Sequence, residues 1–249
     1  MTKRSTRRAL LGGTAAAALS GLAGCSSITG SGTETTNESS ASPMSDVSVS
    51  AADATTEYGI DLAGNAVVGS NDAPVDVYYW TDYQCPFCGR FEENAFPKLL
   101  ENQVAEGTVR FVLLQLPNIG EASTTAARLD KCVWRQVSQS NPGAYLDWHA
   151  AVFDAQEKPN SGWAKTQNLL EIGKSVEGVD IAAANECRKT ETEWAKSAMR
   201  DDTASATDSG ISATPGFVLY DTESGKAGRI VGAQPYDRFE SAIQQVRDA

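Results

Sequence analysis

The residues with the clearest capacity for chemistry are Cys85 and Cys88, which frame the tetrapeptide Cys85-Pro86-Phe87-Cys88. Thiols at this spacing either form a reversible disulfide or supply half of a zinc site. Their surroundings separate the two. Val75–Thr81 (VDVYYWT) is rich in β-branched and aromatic residues and reads as a buried strand, and the segment from Phe87 reads as a helix. Unpaired N–H groups at a helix start favour an anion, so Cys85 is expected as a thiolate, the attacking species in exchange. Cys88 falls one turn further in, on the same side and less exposed, placed to attack a mixed disulfide formed on Cys85. Pro86 fits the first helical position, where its missing N–H has no intrahelical partner. Zinc would need two more ligands from His149, Cys132 and Cys187, which lack CxxC-like or HxxxH spacing. The expected chemistry is redox, with no cofactor and no metal.

The elements that must position this pair follow from hydrophobic patterning. Ala66–Gly69 reads as a short strand closed by the turn signal Ser70-Asn71-Asp72-Ala73-Pro74. After the Val75–Thr81 strand, apolar Phe91, Ala95, Leu99 and Val104 predict a helix over 87–105, kinked at Pro97, and Val109–Leu116 (VRFVLLQL) predicts a second strong strand. From 121 to about 207 helical patterns dominate, with helices expected around Ala126–Val137, Tyr145–Phe153, Trp163–Ile172 and Ile181–Met199. His149, the only histidine, lies in the second of these and reads as structural. Gly216–Tyr220 and Gly228–Val231 form a hairpin, and Pro235–Val246 a closing helix. A strand–helix–strand unit, a helical block, a hairpin and a helix make an α/β fold: the thioredoxin arrangement with a helical insertion.

The 249 residues allow one domain plus non-globular sequence. Net charge is −11, and without Lys3, Arg4, Arg7 and Arg8 the 21 basic residues fall to 17 against 32 acids. Such a chain repels nucleic acid, which is not an expected partner. Residues 1–24 read as a signal peptide: a basic start, then an apolar run (Ala9–Ala23) too short to span a membrane. Thr6-Arg7-Arg8-Ala9-Leu10-Leu11 resembles a twin-arginine signal, and Leu22-Ala23-Gly24-Cys25 resembles a lipobox, which implies a lipid on Cys25. Residues 25–57, dominated by Ser, Thr, Ala and Gly, are expected as a flexible tether, with the ordered domain over 58–249.

The segment Trp80-Thr81-Asp82-Tyr83-Gln84-Cys85-Pro86-Phe87-Cys88-Gly89-Arg90-Phe91 resembles the active site of DsbA-like thioredoxin-fold proteins, especially the lipid-anchored ones of Gram-positive bacteria and archaea. The resemblance runs over about residues 64–249 and includes the helical insertion. Its second motif is Ala213-Thr214-Pro215-Gly216-Phe217. It implies that Pro215 is cis, lies opposite the CxxC and, with Thr214, Pro86 and Phe87, helps bind substrate or tune the pair. It also implies a second disulfide in the insertion between Cys132 and Cys187, as an oxidising location favours; two separate buried thiols are the other reading. The implied partners are exported cysteine-containing proteins and a membrane redox partner, on the outer face of the cytoplasmic membrane. Two departures matter. The family's buried acid six residues before the first cysteine is Tyr79 here, and Asp82 is either a tuning and proton-transfer group or a turn residue. Thr214 replaces the Val of the enteric oxidase, which leaves open an oxidase, a reductase or an isomerase, for example in cytochrome maturation. A non-catalytic partner-binding lipoprotein is the reading from another class.

Overall fold

The computed structural model describes residues 47–249, and this part of the chain begins at the edge of a sheet. β1 (Val49–Ser50) pairs antiparallel with β2 (Ala66–Val68), and Gly69 donates its N–H to Ser48 O at 2.8 Å. Order therefore starts earlier than the expected position near Tyr58. A two-residue edge strand is held mainly by backbone groups, and in residues 47–57 Val47, Val49 and Ala52 are the hydrophobic residues that pack on the core, so composition conceals it. The signal peptide, Cys25 and the tether up to residue 46 lie outside the described residues.

β3 (Val75–Thr81) is buried at every position, which accounts for its largely apolar and aromatic make-up; buried Asp76 is paired with Arg110. α1 (Pro86–Asn94) and α2 (Phe96–Leu99), continued by a π-helical turn at Leu100–Val104, cross over to β4 (Val109–Gln115), which lies parallel to β3. The break in the expected 87–105 helix falls at Ala95, before Pro97, because the proline has no N–H to continue the ladder from α1. The insertion follows as α3 (Glu121–Val137), α4 (Ala144–Asp154), α5 (Thr166–Lys174), α6 (Ile181–Thr190) and α7 (Thr192–Asp208). The helix expected over 181–199 is thus two, parted at Glu191 (φ −98°, ψ 37°). α7 continues past Met199 because its end seats on β3: Trp80 Nε1 donates to Asp202 O at 3.0 Å. β5 (Gly216–Asp221), β6 (Ala227–Val231) and α8 (Tyr236–Arg247) close the chain.

Among the described residues the sheet order is β1-β2-β4-β3-β5-β6, with β3 and β4 at its centre. Alternation along β3 divides the core. Val75, Val77 and Tyr79 face α1, α8 and most of the insertion, whereas Tyr78 and Trp80 face Ile60, Leu62, Ala206 and Ile211. A buried ion pair links the insertion to the sheet: Lys131 Nζ on α3 lies 2.6 Å from Asp202 Oδ2 on α7 and donates to Asn65 Oδ1 and Gly64 O at 2.5 and 3.4 Å. Asp202 Oδ2 also accepts the Gln115 N–H at 2.7 Å. Among the described residues no helix is long and apolar enough to cross a membrane.

Candidate active site

The C-terminal end of β3 delivers the chain into a short loop, and α1 starts immediately after Cys85 with Pro86 in its first turn. Asp82 fixes that loop. Its Oδ1 accepts the Gln84 N–H at 2.9 Å, and its Oδ2 accepts Asn118 and Ile119 N–H at 2.9 and 3.1 Å from the segment after β4. With both oxygens engaged by backbone, Asp82 has the geometry of the turn residue rather than of a group presented to the thiols. The insertion grips the same loop from the other side. Gln156 Nε2 donates to Tyr83 O at 2.6 Å and Cys85 O at 3.1 Å, and Gln84 Oε1 accepts the Asn160 N–H at 2.9 Å. Gly89 on α1 permits this approach, since a Cβ there would collide with the Gln156 side chain.

Cys85 and Cys88 are free thiols of unequal character. Cys85 is 3% exposed at the rim and Cys88 is 0% exposed beneath it. The Thr214–Pro215 bond is cis, and Thr214 O lies 3.2 Å from Cys85 Sγ, so the two distant motifs meet. A hydrogen bond from the Cys88 thiol lowers the Cys85 pKa most; the Thr214 side chain and the N–H groups of Cys88 and Phe87 help against burial, bringing it to about 6. Burial pushes the Cys88 thiol well above the ordinary range, and the neighbouring Cys85 adds to this. Phe87 is 50% exposed, with the Arg90 guanidinium 5.1 Å from its ring centroid.

Beneath the thiols lies a polar network that patterning did not reveal. Tyr79, where the acid was missing, hydrogen-bonds Thr81 Oγ1 at 2.9 Å and donates to Glu92 Oε1 at 2.8 Å. His149 Nε2 is 3.0 Å from the same Glu92 oxygen, and its Nδ1 is 2.9 Å from Tyr83 Oη. Tyr83 donates to Asp130 Oδ1 at 2.5 Å, and Trp148, Tyr145 and Gln115 donate to the two Asp130 oxygens at 3.0–3.1 Å. His149 is therefore part of a hydrogen-bonded chain as well as of the core.

Cys132 and Cys187 form a disulfide joining α3 to α6, at a sequence separation of 55. Among the described residues no group of three or more His, Cys, Asp or Glu is placed to hold a metal, and the bridge engages two of the ligands a zinc site would need. Loop-closure entropy for a loop of this length is about 4 kcal/mol. Replacing both cysteines by Ala is expected to lower unfolding free energy by up to about that amount, measured by denaturant titration, while the Cys85–Cys88 pair still cycles.

Residues 62–245 match the family model described as thioredoxin, and the chain belongs to that family. Its fold and paired cysteines are those of a thiol–disulfide oxidoreductase. It is 30% identical over 115 residues to disulfide bond formation protein D of Bacillus subtilis (strain 168), covering 46% of this chain and 50% of that protein. It is 27% identical over 107 residues to a probable disulfide bond formation protein D of Bacillus anthracis, covering 43% and 48%. The chain thus spans about half the length of the curated relatives it matches. The crystal structure of oxidised BdbD from Bacillus subtilis superimposes with a TM-score of 0.63 at 27% identity, covering 75% of this chain and 94% of that one. A thioredoxin-like oxidoreductase from Silicibacter pomeroyi DSS-3 gives 0.60 at 25% identity, covering 75% and 94%.

Proposed function

We propose that the protein donates the Cys85–Cys88 disulfide to exported proteins outside the cytoplasm, held to the membrane by lipid on Cys25 and reoxidised by a membrane partner. Cys85 is the atom attacked and Cys88 the resolving thiol. A substrate thiolate attacks Cys85 Sγ, the Cys85–Cys88 bond breaks, and its electron pair leaves on Cys88. A second substrate thiolate then attacks the substrate sulfur of the mixed disulfide, and Cys85 leaves as thiolate. The substrate loses two electrons, which the membrane partner later withdraws. Thr214, Pro215 and Phe87 form the rim against which the substrate backbone rests.

The observation that carries this reading is the set of donors converging on Cys85. At pH 7 a thiol with pKa about 6 is thiolate about 30-fold more than one at about 8.5, but intrinsic nucleophilicity falls about 13-fold over the same interval. Attack gains only about twofold, so the stabilised thiolate acts chiefly as a leaving group, which favours giving the disulfide away. The Bacillus relatives named for disulfide bond formation point the same way.

Two measurements test it. Alkylation of Cys85 is expected to show a midpoint near about pH 6; a midpoint near roughly 8.5 would remove the basis for the argument. Equilibration against glutathione is expected to place the pair well above about −200 mV, whereas a value near about −270 mV would assign a reductase.

A further inference from the structure

β6 is the outer strand of the sheet on the side of β5, and one end of its free edge lies beside the dithiol. We propose that this edge binds an extended stretch of the substrate chain as an added antiparallel strand, which brings a cysteine lying N-terminal to the paired stretch onto Cys85. The proposal rests on the exchange reading above and names how that site takes hold of a polypeptide.

Register fixes which backbone groups the edge offers. Gly216 lies opposite Val231 and Tyr220 opposite Ala227, with no bulge between. Gly232 N–H donates to Pro215 O at 2.8 Å and Asp221 N–H to Lys226 O at 2.9 Å, in the same register. Hydrogen-bonded pairs alternate along an antiparallel ladder, so Gly228 and Ile230 bond to β5 while Ala227, Arg229 and Val231 turn their N–H and C=O groups outward. Among the described residues none of these three N–H groups has a partner, and of the three carbonyls Val231 O accepts from Gln234 Nε2 at 3.1 Å. Such a row of unpaired groups is a template for another strand.

The devices that commonly blunt an edge are missing from β6. It holds no proline, lysine or acid, and Arg229, its one charge, reaches back to Ser209 O at the end of α7 at 3.3 Å. β1, at the opposite edge, is only two residues long. Among the described residues the exposed large hydrophobic side chains are Phe87 and Val231, at 50% and 49%. Both stand at the CxxC end of the sheet: Phe87 within the motif, and Val231 across β5 from Gly216, which follows Pro215.

Two features select a substrate chain as the occupant. Backbone pairing reads no side-chain sequence, which suits partners that share only a cysteine. A second copy fits poorly, because full two-fold overlap of β6 sets Arg229 directly against Arg229, and each chain carries a net charge of −11. β6 runs toward the thiols, so an antiparallel guest runs away from them and its N-terminal end is the near one. The guest lies three strand spacings from β3, about 14 Å, which about four extended residues span. The reacting cysteine therefore sits about four residues before the paired stretch.

The test is the second-order rate at which an acetylated, amidated cysteine peptide in excess reduces the oxidised protein, divided by the rate for glutathione, which is too short to lie along β6. One peptide carries Thr-Val-Thr-Val-Thr placed four residues after its cysteine; the other carries the same segment four residues before it. The first is expected to give a ratio about tenfold higher than the second. N-methylating the central three residues of the segment blocks both registers and is expected to abolish the advantage. Arg229→Pro, which removes an outward N–H and no bond to β5, is expected to do the same. The methylated peptide acts on the unmodified protein, so it decides the matter even where the proline disturbs β6. Equal ratios for the two orders, or an advantage that survives methylation, overturn the edge alone. So does a dimer, seen by sedimentation, that Arg229→Pro dissolves while all the peptides react alike; the edge then belongs to a second copy. No reduction by glutathione or by any peptide overturns the exchange reading and the edge with it.

Discussion

Replacing Cys85 by serine is expected to lower turnover in disulfide exchange by on the order of a thousandfold or more, because no other sulfur in the site can be reached by a substrate thiolate. Cys88 cannot substitute. It is fully buried, and burial holds its thiol well above the ordinary range. Cys88→Ser should behave differently: Cys85 still attacks a disulfide, but the mixed disulfide persists. Trapping with a peptide disulfide and mass spectrometry should show about one partner per chain in Cys88→Ser and none in Cys85→Ser. Exchange retained by Cys85→Ser, or trapping by it, would move the nucleophile elsewhere.

The second large effect concerns stability. Lys131→Met should lower unfolding free energy by about 3–5 kcal/mol, because it leaves Asp202 as an uncompensated buried charge. For a domain of this size that is a fall in Tm of roughly 10 °C or more, read by thermal circular dichroism. Adding Asp202→Asn removes the stranded charge while keeping an acceptor for the Gln115 N–H, so the double variant should recover much of the loss. A single variant within about 1 kcal/mol of the unmodified protein would show that the pair relaxes into solvent instead.

The chemistry of the CxxC was legible in the sequence because its determinants are contiguous. A buried strand, a two-residue loop brace and a proline-opened helix lie within 75–91, and each leaves a local pattern. Thr214 and Pro215 were reachable only through the family resemblance, since nothing local links them to Cys85, 129 residues away. The supporting polar groups left no pattern. Glu92 stands beside Glu93 on α1 and reads as a solvated face, and its partner His149 is 57 positions on. Gln156, at the end of a helix, reads as an ordinary loop residue and meets Cys85 O across 71 positions. Asp130 and Lys131 are adjacent on α3, yet both are buried, because successive helical residues point about 100° apart and each meets its own interior partner. Buried polar pairs form between elements, so one-dimensional periodicity does not record them.

β1 gives the domain a mechanical property. The chain reaches the sheet through a two-residue strand at its outer edge, separated from β3 by both β2 and β4. A load arriving from the N-terminal side acts first on that short ladder, then on the bridge between Thr55 and Asp61 and the Leu62 N–H bond to Ala54 O. These few backbone bonds can yield and re-form while β2, β4 and β3 keep their register. The edge therefore works as a fuse between whatever pulls on the chain and the dithiol.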